Sequence, residues 1–595
     1  MLAPRFVGTG VMVMRAPWTR SLLPQSPQAR AAPVRQTTTR FDASQAVAIS
    51  GPDELMALEP AFLKSLSSEF NVEALAGRLC PVLLGDHSVA IFSLGEHVGS
   101  DQADELARCV GQSGYALADP QRYVLAAPLL LAIARNQVTA QSLTNQSGRY
   151  REQSKTALAD AFQDLIEWGV RHGASDLHLN VRLREPESEV KATLAGRYVA
   201  PERFQRMPTT TLIDMLSVAW MDIQGGNGAV FDPSSEQQGQ MIRLVDGKTV
   251  LLRWASLAAD QGPSVCLRLL RYDAAASYPS LEKLGYLPDQ VSVIERAMLA
   301  EGGAIVFAGT VGSGKSTTLA SLIAGLADSR KVITIEEPVE YLIPRAIQNT
   351  VTRDLDATAH NVYAAKLRAL KRSAMNDVLL GEIRDTETGR AFMDLAGSGI
   401  NVYTTTHAGS AALICERLAS DFIGVSRDFL ATRNILKLLV HQSLLPKLCQ
   451  QCALKATHLL KGAGGADGRY HAGGHWRMWL NRIQRLYDCD IELLRIRNPQ
   501  GCSACHVTQA PSLSGYAGRT VVAEHIEPAL TPGFLESIHD ADGSVRVTRT
   551  AMQCAMVKAM RGQIDPREIE LRFQPFETQE LLHDMRRDSA CGASA

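Results

Sequence analysis

Nine residues, Gly309-Thr-Val-Gly-Ser-Gly-Lys-Ser-Thr317, restrict what this chain can fold into more than any other stretch. They match GxxxxGK[ST], follow the apolar β-type run Ala304-Ile-Val-Phe-Ala308, and precede a helical run from Thr318 to Ala327. Strand, glycine loop and helix in that order are the context in which this pattern is a phosphate site. Glycines let consecutive backbone N–H groups point inward around a β-phosphate, and the start of the helix adds the positive end of its dipole. Lys315 is expected to reach the β/γ oxygens and the Ser316 hydroxyl to hold Mg²⁺. Gly309, Thr310, Val311, Gly312, Ser313, Gly314 and Thr317 complete the cradle. A site for a nucleoside triphosphate such as ATP follows.

The rest of the chain must build a scaffold around that loop. At 595 residues it is too long for one core, and about 150 residues per domain suggests three or four units. With 46% apolar and 21% charged residues it has the composition of a soluble globular protein. A net charge of −1 argues against a protein that coats nucleic acid, so no nucleic-acid partner is expected. No apolar run reaches the ~18 residues of a spanning helix. The longest, Val124 to Ala134, is interrupted by Pro128, so membrane contact is expected to be peripheral. Residues 1–41 hold six arginines and no acid. They read as a basic disordered arm or an early start codon, with a transit peptide as the alternative.

Residues 42–136 read as an N-terminal α/β domain. Helical stretches are expected at Glu54 to Phe70 and Asp101 to Gln112, strands at Pro81 to Leu84 and Val89 to Phe92, and a last helix reaching Ala134. Residues 137–156, rich in Gln, Ser, Thr and Asn, read as a linker. Residues 157–273 open with a helix, Leu158 to His172, then Gly173-Ala-Ser-Asp-Leu-His-Leu179 and a series of strands. Two strands carry an arginine amid apolar residues, Arg253 and Arg268. Such residues usually face solvent; shortly before a phosphate loop they are also candidates to supply a cation to the γ-phosphate.

After the loop, Lys331-Val-Ile-Thr-Ile-Glu-Glu-Pro-Val-Glu-Tyr341 is a buried-type strand ending in the carboxylates Glu336, Glu337 and Glu340. Val378-Leu-Leu-Gly-Glu382 is another, ending in an acid, and Val402-Tyr-Thr-Thr-Thr-His407 ends in a histidine. Hydrolysis at a phosphate loop needs one carboxylate to orient Mg²⁺ and another to position the attacking water. His407 reads either as a γ-phosphate contact or as a structural residue. Cys449 and Cys452, then Cys502 and Cys505, form two CxxC knuckles that can close a tetrahedral zinc shell. Four thiolates leave no open position, so a structural role is expected. The 49 residues between the pairs form an insertion expected to be polar and mobile, and the chain beyond Glu527 is expected to be helical.

Taken in order, these motifs resemble the assembly ATPases of type IV pili and type II secretion systems, bacterial hexameric motors with RecA-like catalytic domains. Gly173-Ala-Ser-Asp-Leu-His resembles the family's Ala-Ser-Asp-Ile-His signature, and Glu336-Glu-Pro-Val-Glu340 its Asp box, with Glu337 where Asp is usual. Gly381-Glu-Ile-Arg-Asp385 is similar to its Walker B end, Thr405-Thr-His407 to its His box, and Gly515-Tyr-Ala-Gly-Arg519 to a further motif. The resemblance implies a PAS-like α+β domain over 157–273 that closes on nucleotide. It implies a RecA-like domain over 274–595 containing a zinc module at 449–505. Glu340 is then the general base, Glu382 acts on Mg²⁺ or its water, and His407 senses the γ-phosphate. Arg253 and Arg268 face nucleotide in the closed state.

A homo-hexamer, a cytoplasmic location peripheral to the inner membrane, and an inner-membrane platform protein as partner are further implications. The cysteine knuckles point to the assembly or secretion branch rather than to retraction motors. Ser373-Ala-Met-Asn-Asp377 and the Ala-Gly-Ser after His407 depart from the family pattern and resemble pilus ATPases encoded with conjugation systems. A regulatory nucleotide binder and a DNA or RNA motor are the rival classes; intact Glu340 and Glu382 oppose the first, and the neutral charge opposes the second.

Overall fold

Two periodicities organise the chain. Strands such as Glu187–Leu194 alternate buried and half-buried residues, whereas those flanking the phosphate loop, such as Gly303–Ala308 and Asn401–Thr406, are buried throughout. The computed structural model describes residues 41–592 except 50–51, 71, 73–77, 136–146, 273–277, 352–361, 466–467, 508–509 and 541–546. The expected basic arm, apart from Phe41, and the first half of the expected linker lie outside the described residues.

A five-stranded sheet comes first, in the order Val47–Ile49, Leu117–Leu125, Val89–Ser93, Leu79–Leu84, Phe62–Ser65. The helix Asp101–Gln112 forms as expected, with the Ser100 side chain accepting from the Ala103 N–H. The helix expected over Glu54 to Phe70 does not: only Pro52–Met56 is helical, and Phe62–Ser65 is a strand. Pro60 locks φ and offers no N–H, which no helix interior tolerates cheaply. The last helix of this region is also shorter than its apolar run suggests, because a strand runs through Pro120 to Leu125 and leaves Ala127–Ala134.

The second sheet is antiparallel, with Gln237–Val245, Lys248–Leu257, Ser264–Tyr272, Ala174–Asn180, Glu187–Leu194 and Arg197–Val199 in spatial order. Glu187–Leu194 alternates buried and half-buried residues without a break, the signature of a strand with one face on a core. Helices Ser147–Arg171 and Thr209–Trp220 accompany this sheet, and the second had no counterpart among the expected elements. The first starts at Ser147, inside the expected linker, whose Arg, Glu, Gln and Lys residues are good helix formers. Phe162, Leu165 and Ile166 share one apolar core with Leu177, Val190 and Ala192, and that core continues into Leu129 and Ile133 below the first sheet.

The third sheet positions the phosphate loop. Its order is Ile347–Thr350, Val332–Glu336, Asp377–Leu380, Asn401–Thr406, Gly303–Ala308, Leu436–Leu448, Tyr516–Ile526. The first six are parallel and the last is an antiparallel edge. Ala304, Val306 and Ala308 pack into one core while Ile305 and Phe307 pack into another, so the sheet is covered on both faces. That is why central strands such as Gly303–Ala308 and Asp377–Leu380 are buried along their whole length.

The insertion between the cysteine pairs is not the polar loop expected. Gly473–Tyr487 is a helix whose Trp476, Trp479, Leu480 and Ile483 are buried against Met552, Met556, Ile569 and Phe576. Spacings of three, four and seven residues place all four side chains on one helical stripe, which outweighs the flanking glycines and histidines.

Candidate functional site

Parallel strands present their carboxyl ends on one edge, where such sheets bind ligands. Here four neighbouring strands end in the residues singled out above. Gly303–Ala308 runs into the glycine loop, Val332–Glu336 ends in Glu336, Asp377–Leu380 is followed by Glu382, and Asn401–Thr406 by His407. Thr405 Oγ1 donates to the Gly381 carbonyl at 2.8 Å and the Ile383 N–H to the Thr405 carbonyl at 2.8 Å, so the last two ends are tied together.

Within the loop, Gly314 has φ 87°, a left-handed conformation that favours glycine. A Cβ on Gly309 would lie 2.4 Å from the Gln442 carbonyl oxygen, so the neighbouring strand enforces glycine there. Lys315 opens the helix Lys315–Ala324 and is buried; its Nζ donates to the carbonyls of Gly309 at 2.8 Å and Thr310 at 3.1 Å. Burial holds its ammonium below the ordinary lysine range, with Glu382 and Glu340 opposing. The Ser313 hydroxyl is buried with no hydrogen-bond partner among the described residues, a donor left for a ligand. Thr317 Oγ1 lies 2.9 Å from the Tyr341 hydroxyl.

A cavity of about 920 Å³ opens over the loop. Val311 to Thr317, Glu336, Glu337, Glu340, Glu382, His407 and Arg268 all line it. Its carboxylates are not equivalent. Glu336 accepts from Thr334 Oγ1 at 2.7 Å and Gln348 Nε2 at 3.1 Å, and burial raises its pKa. Glu337 is ion-paired with Arg384. Glu382 Oε1 lies 2.7 Å from His407 Nε2, while His407 Nδ1 sits 3.0 Å from the Gly309 carbonyl. His407 thus bridges the loop to Glu382. Glu340 is the cavity carboxylate that no hydrogen bond or ion pair holds among the described residues.

The second sheet supplies a row of charge to the same cavity. Strand register sets Arg253 directly opposite Arg268, and Arg268 directly opposite Asp176. Arg268 Nε donates to Asp176 Oδ1 at 2.9 Å. Arg253 does not line the cavity, although it is close enough to Glu340 and Glu337 to feel their charge. Burial holds it below the ordinary arginine range. One contributor has no motif around it, and a second appeared above only as the end of Gly515-Tyr-Ala-Gly-Arg519. Arg572, at the end of the helix Pro566–Arg572, donates to Thr310 Oγ1 at 2.6 Å. Arg519, which burial likewise holds low, also lines the cavity. No spacing rule connects residue 572 to residue 310.

The thiols of Cys449, Cys452, Cys502 and Cys505 gather within 4.8 Å of one another. Sulfur separations are 3.8 Å for Cys449 to Cys502, 3.5 Å for Cys452 to Cys505 and 3.7 Å for Cys502 to Cys505. Bonds of about 2.3 Å to a tetrahedral zinc set its sulfurs about 3.8 Å apart. A disulfide would need about 2.05 Å. The group therefore fits zinc. Antiparallel pairing explains how distant knuckles meet: Leu448 pairs with Tyr516, and the Cys449 N–H donates to the Gly515 carbonyl at 3.0 Å.

The profile of the family described as type II/IV secretion system protein matches residues 153–570. Type II secretion system protein HxcR of Pseudomonas aeruginosa is 28% identical over 364 residues, 60% of this chain and 64% of HxcR, so the chain spans just under two thirds of that relative's length. Type IV pilus assembly ATPase PilB of Thermus thermophilus is 26% identical over 421 residues, 69% of this chain and 42% of PilB. Among solved structures, the Legionella pneumophila ATPase DotB covers 69% of this chain and 95% of its own at 20% identity, with a TM-score of 0.43.

Proposed function

This chain belongs to the type II/IV secretion system protein family, and from that premise we propose that it is a Mg²⁺-dependent ATPase, working as a homo-hexamer at the inner membrane to power pilin polymerisation in type IV pilus assembly. The observation that carries this reading is the convergence of Lys315, Glu340, Glu382 and Arg268 on one cavity over the glycine loop. Relatives named for type II secretion favour a second reading, in which the same motor drives export. A cytoplasmic location, peripheral to the membrane, and docking on an inner-membrane platform protein belong to the same proposal. Among the described residues no helix is long and apolar enough to cross a membrane.

The chemistry is in-line attack of water on the γ-phosphorus. The new P–O bond forms as the bond to ADP breaks, and the proton of the water passes to Glu340, the unoccupied carboxylate. Lys315 takes up charge on the transferring group. Ser316 and Glu382 are the oxygen donors that would hold Mg²⁺, which when bound neutralises the β/γ oxygens. His407 keeps Glu382 registered to the loop. Arg253 and Arg268, set opposite each other at an energetic cost, gain a counter-charge from the γ-phosphate. ATP thus favours closure of the second sheet on the third, and hydrolysis removes that preference.

The full-length chain should release phosphate from ATP with Mg²⁺ and stop when EDTA is added. Arg268→Gln should lower turnover roughly 10³-fold or more, as for a cation supplied to a γ-phosphate, while ADP affinity stays within about threefold. Equal weakening of ADP would count against that role. The four-cysteine group should hold about one zinc per chain, measured by metal analysis. A paired Cys449→Ser and Cys502→Ser variant should lose it and change the emission of Trp476 and Trp479, which share the core beside the knuckles. Metal-free wild-type protein with unchanged emission would refute the zinc assignment.

A further inference from the structure

Arg572 has no acid. Its Nη2 donates to Thr310 Oγ1 at 2.6 Å and to Ser443 Oγ at 3.1 Å, both neutral hydroxyls. Three other arginines lining the cavity are ion-paired, Arg268 with Asp176, Arg384 with Glu337 and Arg197 with Glu568. For Arg572 no carboxylate partner exists among the described residues, and burial alone acts on its charge, holding it below the ordinary arginine range. A half-buried cation without a counter-ion is a cost to the fold.

A second cation shares the spot. Lys315 Nζ also touches only carbonyl oxygens, and one of these is that of Thr310, the residue whose hydroxyl holds Arg572. Both charges act on the buried His441, whose pKa is pushed down to about 4 by burial and then by Arg572 and Lys315. Two like charges converge on one loop residue, with only Glu382 and Glu340 across the cavity opposing that of Lys315, so an anion arriving beside both is favoured. In a loop of this kind the lysine serves the β/γ oxygens, so the anion is the outer end of the phosphate chain.

Resting on the nucleotide reading above, we propose that Arg572 leaves the hydroxyls of Thr310 and Ser443 to bind the γ-phosphate of ATP. The arrangement gives the C-terminal helices a direct sense of which nucleotide is bound. The same short helix carries Glu568, which holds Arg197 of the second sheet and the Tyr516 hydroxyl. A shift of Arg572 toward phosphate is therefore felt where the two sheets meet.

Equilibrium binding of ADP and of a non-hydrolysable ATP analogue, both with Mg²⁺, to the full-length chain tests this. Arg572→Gln should weaken the ATP analogue roughly ten- to hundredfold, the worth of a charge-assisted hydrogen bond, and ADP by less than about threefold. Arg572→Lys, which keeps the charge but not the guanidinium fork, should fall between and serves if the Gln variant does not fold. Ser443→Ala, which removes a present partner but leaves the cation, should change both by less than about twofold. Equal weakening of both nucleotides by Arg572→Gln would make Arg572 a clamp on the loop, and no weakening of either would remove it from the site; each overturns the proposal. Wild-type protein that binds neither nucleotide would overturn the nucleotide reading itself.

Discussion

Lys315→Ala should abolish nucleotide turnover, with phosphate release falling at least roughly a hundredfold, the cost of losing one preorganised donor to the developing charge. The geometry makes the variant unusually clean. Lys315 Nζ is desolvated and hydrogen-bonded only to the carbonyls of Gly309 and Thr310, with Glu382 and Glu340 acting from across the cavity. Removing it takes away a buried cation that no carboxylate contacts, rather than one half of a buried ion pair, so the nucleotide-free protein should melt at an unchanged or higher temperature. Wild-type protein should melt higher in excess ATP, by the linkage between binding and unfolding, and the variant should not. Normal turnover in Lys315→Ala would sink the assignment of the loop, and a large fall in its nucleotide-free melting temperature would show that Lys315 is structural.

Much of this site was legible because its parts are local. A glycine loop between an apolar strand and a helix, acids at the ends of two further apolar strands, and paired CxxC knuckles each declare their chemistry within about ten residues. The structure gathers them because parallel strands bring their carboxyl ends to one edge. What stayed hidden depends on register or on distance along the chain. Arg253, Arg268 and Asp176 could each be named, yet their alignment in one row follows from strand pairing alone. Arg572 reaches Thr310 across 262 residues, with no motif to announce it. The helix Gly473–Tyr487 was different: its apolar stripe was present in the sequence, and the polar composition around it masked the period. The helix expected over Glu54 to Phe70 gave no weight to Pro60, and only Pro52–Met56 is helical.

In the proposed reaction Glu340 is the base for ATP hydrolysis in this cavity. Glu336 is occupied by Thr334 and Gln348, Glu337 by Arg384 and Glu382 by His407, so the carboxylate free to take a proton from water is Glu340. Glu340→Gln preserves the shape of the side chain and removes only its basicity. General-base removal costs roughly 10²–10⁴ in rate. Binding should survive, because the phosphates are held by the loop, Lys315 and the arginines rather than by Glu340. The deciding measurement is phosphate release from ATP by full-length wild type and Glu340→Gln, with bound ATP quantified in both. Release lost in the variant with ATP affinity within about threefold is the predicted result. Release by the variant at the wild-type rate would contradict the account.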